Sequence, residues 1–91
     1  MDETSAIGHL EALAYSLGIV VRHERLENEE STFIPGGLCR VKGKQLIILN
    51  AAAPASEKVQ TLAKALRRFD LRDVYIIPAV RKLLEGSEEW K

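Results

Sequence analysis

The chain has 91 residues, 46% hydrophobic and 29% charged, and its thirteen bases balance its thirteen acids. This length gives room for one core, so we predict a single small α+β domain over residues 1–91. The composition excludes a disordered or collagen-like chain, and the aliphatic run from Leu46 to Leu49 is far shorter than the roughly 20 residues of a membrane helix.

The charges are distributed unevenly along the chain. Residues 1–30 contain seven acids and two bases, whereas residues 31–83 contain ten bases and three acids. Such a basic segment can mark an anionic partner, but the acidic first third can neutralise it within the fold, and we favour the second interpretation. The acidic start at Asp2 and Glu3 is unlike a signal peptide, and the single Cys39 cannot form an internal disulfide. We therefore expect a cytoplasmic protein.

The first third of the chain predicts a helix and a strand. Apolar residues at helical spacing predict a helix over about residues 5–17, with Thr4 or Ser5 as its N-cap and Gly18 just beyond its end. The β-branched run that begins at Ile19 predicts a strand, which becomes polar from Arg22 onward. Residues 27–32 are polar and acidic and predict an exposed loop. A second loop is predicted at Pro35-Gly36-Gly37.

Two further strands are predicted in the middle of the chain, at residues 38–41 and 45–49. The connection Lys42-Gly43-Lys44 between them indicates an antiparallel hairpin. The second strand is apolar on both faces, because Leu46 and Ile48 alternate with Ile47 and Leu49. Such a strand needs cover on both sides, from helices or from another subunit.

The last third of the chain predicts two helices. The first starts near Ala55 or Ser56 and carries one apolar stripe, formed by Val59, Leu62, Ala63, Leu66 and Phe69. Residues 73–77 suit either a short strand or an extension of the last helix, which has Pro78 in its first turn, buries Val80, Leu83 and Leu84, and ends at Gly86. A charged tail, 87–91, follows. We predict a small antiparallel sheet of about three strands packed with two or three helices, in the order α-β-β-β-α-(β)-α.

One segment carries a resemblance to a known family. An apolar strand that ends in Asn50 precedes a helix that reads Thr61-Leu62-Ala63-Lys64-Ala65-Leu66-Arg67-Arg68. This order resembles the ImmA/IrrE family of zinc metallopeptidases, in which a strand ending in Asn precedes a helix that typically reads T-L-A-H-E-L-G-H. The resemblance spans about residues 7–69, and Thr61, Leu62, Ala63 and Leu66 match it.

The positions that carry the chemistry of that family do not match. Lys64 and Arg68 stand where the two zinc-binding histidines belong, and a cationic side chain has no free lone pair for the metal. Ala65 replaces the glutamate that acts as the base. The resemblance therefore implies a degenerate metallopeptidase-like scaffold. We predict no metal, no cofactor and no enzyme activity.

Other chemistry is only weakly indicated. Arg40 and Lys42 beside Cys39 could activate its thiol, but the available bases, His9 and His23, lie on separate elements, so we favour Cys39 as a buried small hydrophobe. These three residues also lack the pair spacing of a zinc site. A small enzyme using Cys39 stays an alternative.

We therefore predict a non-catalytic domain that works by protein contact, as a homo-oligomer or an accessory subunit. The candidate contact residues are three cations, Lys64, Arg67 and Arg68, and two aromatics outside the core stripes, Tyr15 and Trp90. Weak nucleic-acid binding through the basic middle segment is a further alternative, which the scarcity of aromatics in that segment disfavours. No membrane partner is expected.

Overall fold

Three helices and three strands form the part of the chain that the computed structural model describes, residues 1–25 and 36–85. They are α1 (Glu3–Ser16), β1 (Val20–Glu24), β2 (Gly36–Val41), β3 (Lys44–Asn50), α2 (Ala55–Leu66) and α3 (Pro78–Glu85). The predicted α+β class is confirmed, as is the order of these six elements. The loop predicted at 27–32, the end of the last helix at Gly86 and the charged tail lie outside the described residues.

Helix α1 is closed at both ends by hydrogen bonds to backbone groups. Its N-cap is Asp2, not Thr4 or Ser5 as predicted, because the Asp2 carboxylate accepts the Ser5 backbone N–H at 2.7 Å. This hydrogen bond lowers the pKa of Asp2. At the other end Gly18 has a φ of 79°, and the Ile19 N–H donates to the Ala14 carbonyl at 2.9 Å. This Schellman motif confirms Gly18 as the residue that turns the chain into β1.

The sheet has the order β1-β3-β2, so β3 is its central strand. β2 and β3 form the predicted antiparallel hairpin, whose two turn residues, Lys42 and Gly43, both have positive φ, 53° and 81°. β1 instead runs parallel to β3, with Val20 opposite Leu46. The prediction of an antiparallel sheet is therefore wrong, since the sheet is mixed. β3, apolar on both faces, takes the centre and separates two strands that are consecutive in the chain.

Two smaller predictions are also corrected. The loop predicted at Gly36 and Gly37 is instead part of β2. Residues 73–77 form neither a strand nor an extension of the last helix. In this segment Ile76 is buried in the core and Ile77 packs against it. The Ile77 carbonyl then accepts the N–H groups of Val80 and Arg81, both at 3.0 Å, and α3 begins at Pro78 as predicted.

The core lies between the helices and one face of the sheet. Ile47 and Leu49 of β3 are fully buried there, and Val21 of β1 and Leu38 of β2 pack against the same cluster. The helices contribute the apolar stripes that their spacing predicts, with Phe69 packed at the margin. The buried helical residues are Ala6, Leu10, Leu13, Ala14, Val59, Leu62, Ala63, Ala65, Leu66, Val80, Leu83 and Leu84.

Candidate protein-contact surfaces

The four predicted contact residues that the structure describes lie at the surface, in two groups. Lys64, Arg67 and Arg68 are exposed at the C-terminal end of α2. Tyr15 is 85% exposed near the C-terminal end of α1. Trp90 lies outside the described residues.

Tyr15 and Arg68 line two different grooves, which lie at opposite edges of the sheet. Tyr15 lines a groove of about 450 Å³ beside β1, together with Glu11, Val20 and Val21. Arg68 lines a groove of about 340 Å³ beside β2, with Leu38, Cys39, Arg40, Gln45 and Phe69 among its walls. Because β1 and β2 are the two edge strands, the two groups of residues form two separate surfaces.

The structure shows the surroundings of Lys64, Ala65 and Arg68, the positions at which the chain departs from the metallopeptidase pattern. Lys64 is exposed, whereas Ala65 is buried in the apolar core beside Leu66. Arg68 lies beyond the end of α2 at Leu66, so the positions four residues apart are not both within this helix. A carboxylate at the Ala65 position would require burial in apolar surroundings, which strongly disfavours an ionised base there.

Cys39 and the two histidines occupy different parts of the molecule. His23 points to the helix side of β1, where its Nε2 lies 2.6 Å from Glu11 Oε2. Cys39 is only partly buried, contrary to the prediction of a buried residue, and lies on the opposite face of the sheet. His9 is on α1 and lines a third cavity, of about 230 Å³, with Tyr75. Within residues 1–25 and 36–85, no group of three or more His, Cys, Asp or Glu residues could hold a metal ion.

The face of the sheet that points away from the helices is largely apolar. We call it the open face and define it by its apolar residues, Val20, Cys39, Val41, Leu46 and Ile48. Val20 and Val41 are each 48% exposed. Leu46 and Ile48 are partly buried but belong neither to the core cluster nor to the residues packed against it. No helix or strand of the described part of the chain packs on this face.

The sequence indicates only the central part of the open face. The alternation in β3 identifies Leu46 and Ile48 as a second apolar face. The neighbouring positions of Val20 and Cys39, on either side of Leu46, depend on the strand order β1-β3-β2. That order is not readable from spacing along the chain.

Ion pairs mark the exposed margins of the described surface. On the open-face side of β1, Arg22 Nη2 lies 2.6 Å from Glu24 Oε2. After α2, the Arg72 guanidinium donates to both carboxylate oxygens of Asp70, at 3.0 and 2.9 Å. These hydrogen bonds lower the pKa of Asp70 and raise the pKa of Arg72. Both pairs are solvent-exposed, so they define charge patterns at the surface and contribute little to stability.

No protein-family model, curated protein or solved structure matches this chain. The helices within the described ranges are too short or too polar to cross a membrane.

Proposed function

We propose that this chain is a non-catalytic protein-contact domain and that its partner protein packs on the open face. The observation that carries the proposal is the position of Leu46 and Ile48 on the central strand, outside the core that the helices cover. Large aliphatic side chains at the centre of a sheet need burial, and a partner protein supplies it.

The margins of the open face suit a protein partner. Arg22 and Glu24 border its apolar centre on one side, and Lys44 borders it at the beginning of β3. An apolar centre with a polar rim is the usual arrangement of a protein interface. The charged rim keeps the partner in one orientation, and the aliphatic centre provides the gain from excluding water.

The experiment is affinity capture with the intact chain as bait, compared between the wild type and a variant of the open face. Val41→Lys combined with Ile48→Thr places a charge and a hydroxyl on this face while retaining β-forming character at position 48. We expect at least one protein to be retained by the wild type and lost by the variant. The matched control is Tyr75→Ser, which changes an aromatic residue that is 83% exposed and lies on the helix side of the molecule.

The chain contains its own probe for this contact, because Cys39 is its single cysteine and lies on the open face. We expect the captured partner to slow the reaction of Cys39 with a thiol reagent. A wild type that captures nothing beyond what the variant captures, or a partner that leaves the Cys39 reaction rate unchanged, would contradict the proposal. Circular dichroism establishes that the variant is folded.

Two further expectations remain predictions. A degenerate metallopeptidase-like scaffold would agree with a contact function, because Lys64, Ala65 and Arg68 would then keep the shape of the helix region without its chemistry. Stoichiometric zinc in the purified, untagged protein would contradict it. A cytoplasmic location also stays a prediction, supported by the single cysteine, which cannot form an internal disulfide.

A further inference from the structure

β1 is an edge strand with backbone groups directed away from the sheet. Within the described residues its hydrogen-bonded neighbour is β3 alone. The Glu24 carbonyl accepts the Ala51 N–H at 2.7 Å, so Glu24 directs its backbone groups toward β3. Because these directions alternate along a strand, Val21 and His23 direct their N–H and C=O groups to the outer side. This outer side can accept another strand.

Opposite charges flank His23 in β1. Arg22 precedes it and Glu24 follows it, and both side chains point to the open-face side of the sheet. If a second copy of β1 approaches antiparallel, about a twofold axis through His23, each Arg22 lies opposite Glu24 of the other copy. The strand is therefore complementary to itself, with two cross-strand ion pairs per dimer.

The backbone selects the same register. His23 opposite His23 of the second copy forms a hydrogen-bonded pair, because both residues direct their N–H and C=O groups outward. Arg22 and Glu24 of the other copy then form the closer, non-hydrogen-bonded pairs, in which Cα atoms are about 4.5 Å apart. A register centred on Arg22 places two arginines at this distance, and one centred on Glu24 places two glutamates there, so both are disfavoured.

The surface beside β1 has room for the incoming strand. The groove of about 450 Å³ lined by Glu11, Tyr15 and Val21 runs along the helix side of this edge. Glu11 Oε2 lies 2.6 Å from His23 Nε2, so a carboxylate stands beside the point where the two histidines meet. Tyr15, 85% exposed at this groove, gains cover from a strand added there.

We propose that two copies of this chain pair antiparallel through β1, centred on His23, and form one continuous six-stranded sheet from the two three-stranded sheets. This contact uses an edge of the sheet and goes beyond the open-face contact proposed above, with which it shares only the two rim charges, Arg22 and Glu24. The tests of the two proposals change different residues, so the two proposals can fail independently.

The test is charge reversal at β1, read by sedimentation equilibrium at low ionic strength. Arg22→Glu places a carboxylate opposite Glu24 of the other copy, and Glu24→Arg places a guanidinium opposite its Arg22. Each single variant is expected to raise the dimer dissociation constant at least about tenfold, because two attractive pairs become repulsive. An equimolar mixture of the two single variants is expected to form a heterodimer, because both of its cross-strand pairs then join a glutamate of one chain to an arginine of the other.

The double variant, Arg22→Glu with Glu24→Arg, separates this register from its alternatives. It restores opposite charges only when position 22 faces position 24, so we expect a homodimer of near wild-type affinity. The matched control is Arg40→Glu on β2, the other edge strand, which is expected to leave the dissociation constant unchanged. The open-face variant Val41→Lys with Ile48→Thr is also expected to dimerise.

Three outcomes would overturn the proposal. They are a wild-type chain that stays monomeric up to about 1 mM, a dimer that Arg22→Glu does not weaken, and single variants whose dimers are not recovered by mixing or in the double variant. Circular dichroism of each variant checks that it is folded. The double variant also restores the pair between positions 22 and 24 within one strand. Recovery in the mixture of single variants therefore assigns the effect to the contact between strands, because each strand there keeps two like charges.

Discussion

Two glycines of the N-terminal region have opposite conformational requirements. Gly8 lies within α1, and a Cβ built on it meets no atom within 4 Å. Gly18 also has open space around it, but its φ of 79° is in the left-handed region, which disfavours residues with a side chain. The same added methyl group therefore acts through helix propensity at the first site and through backbone strain at the second.

We predict that Gly8→Ala raises the free energy of unfolding by about 0.5–1 kcal/mol and that Gly18→Ala lowers it by about 1 kcal/mol. Urea denaturation followed by far-ultraviolet circular dichroism measures both changes. Gly18→Asn serves as the control at the second site, because asparagine tolerates this backbone conformation and should cost less than alanine. Shifts of the same sign for the two alanine variants would contradict the explanation.

At this scale the sequence predicts the end of α1 better than its beginning. Glycine is strongly favoured in the left-handed position after a helix, so Gly18 is identifiable by residue type. Asp2, Thr4 and Ser5 can all cap a helix, and residue type does not choose among them. The choice depends on which side-chain oxygen reaches a free N–H, and in the structure the Asp2 carboxylate reaches Ser5.

The β2–β3 hairpin has one residue that is poorly suited to its turn. A two-residue turn with positive φ at both positions is of type I′, for which Asn-Gly is the preferred sequence. Here the first position is Lys42, with a φ of 53°. Lysine has no short polar group that favours this conformation, so the turn is strained at Lys42 and relaxed at Gly43.

We predict that Lys42→Asn raises the free energy of unfolding by about 0.5 kcal/mol without changing the fold. Thermal denaturation at fixed pH and protein concentration measures the effect. The control, Lys44→Asn, also replaces a lysine by asparagine but at the first residue of β3, where asparagine is disfavoured. It should not stabilise the protein, and equal stabilisation by both variants would indicate a general charge effect.

Local elements are predicted more accurately than their assembly. The hairpin is recognisable because a glycine-containing connection joins two apolar runs close in the chain. The parallel pairing of β1 with β3 joins Val20 to Leu46 across the intervening β2, and no local pattern reports it. Residues 73–77 are a second case in which the local pattern does not predict the assembly. Their β-branched residues, Val74, Ile76 and Ile77, pack in or against the core without pairing with a strand.

Ile47 and Ile48 show how the whole molecule distinguishes two adjacent and chemically identical residues. Ile47 is fully buried under the helices, whereas Ile48 lies on the open face. The sequence predicts that β3 has two apolar faces but does not tell which face the helices cover. That choice depends on the packing of α1 and α2 against the complete sheet.

We predict that Ile47→Val lowers the free energy of unfolding by about 1 kcal/mol, because it leaves a cavity in a closed core. Ile48→Val, its matched control on the open face, should cost less in the isolated chain, where neighbouring groups and solvent can adjust. Urea denaturation at low protein concentration compares the two variants. An equal loss from both would place Ile48 in a closed interior and contradict the open-face assignment.

The central position of β3 also determines the order in which the sheet assembles and opens. Its hairpin with β2 closes a short loop, whereas its ladder with β1 must bring together segments far apart in the chain, which is entropically slower. We therefore predict that the hairpin forms before β1 arrives during folding. In the isolated chain we also expect detachment of β1 to leave this hairpin intact, so that hydrogen exchange finds the slowest amides at the β2–β3 ladder.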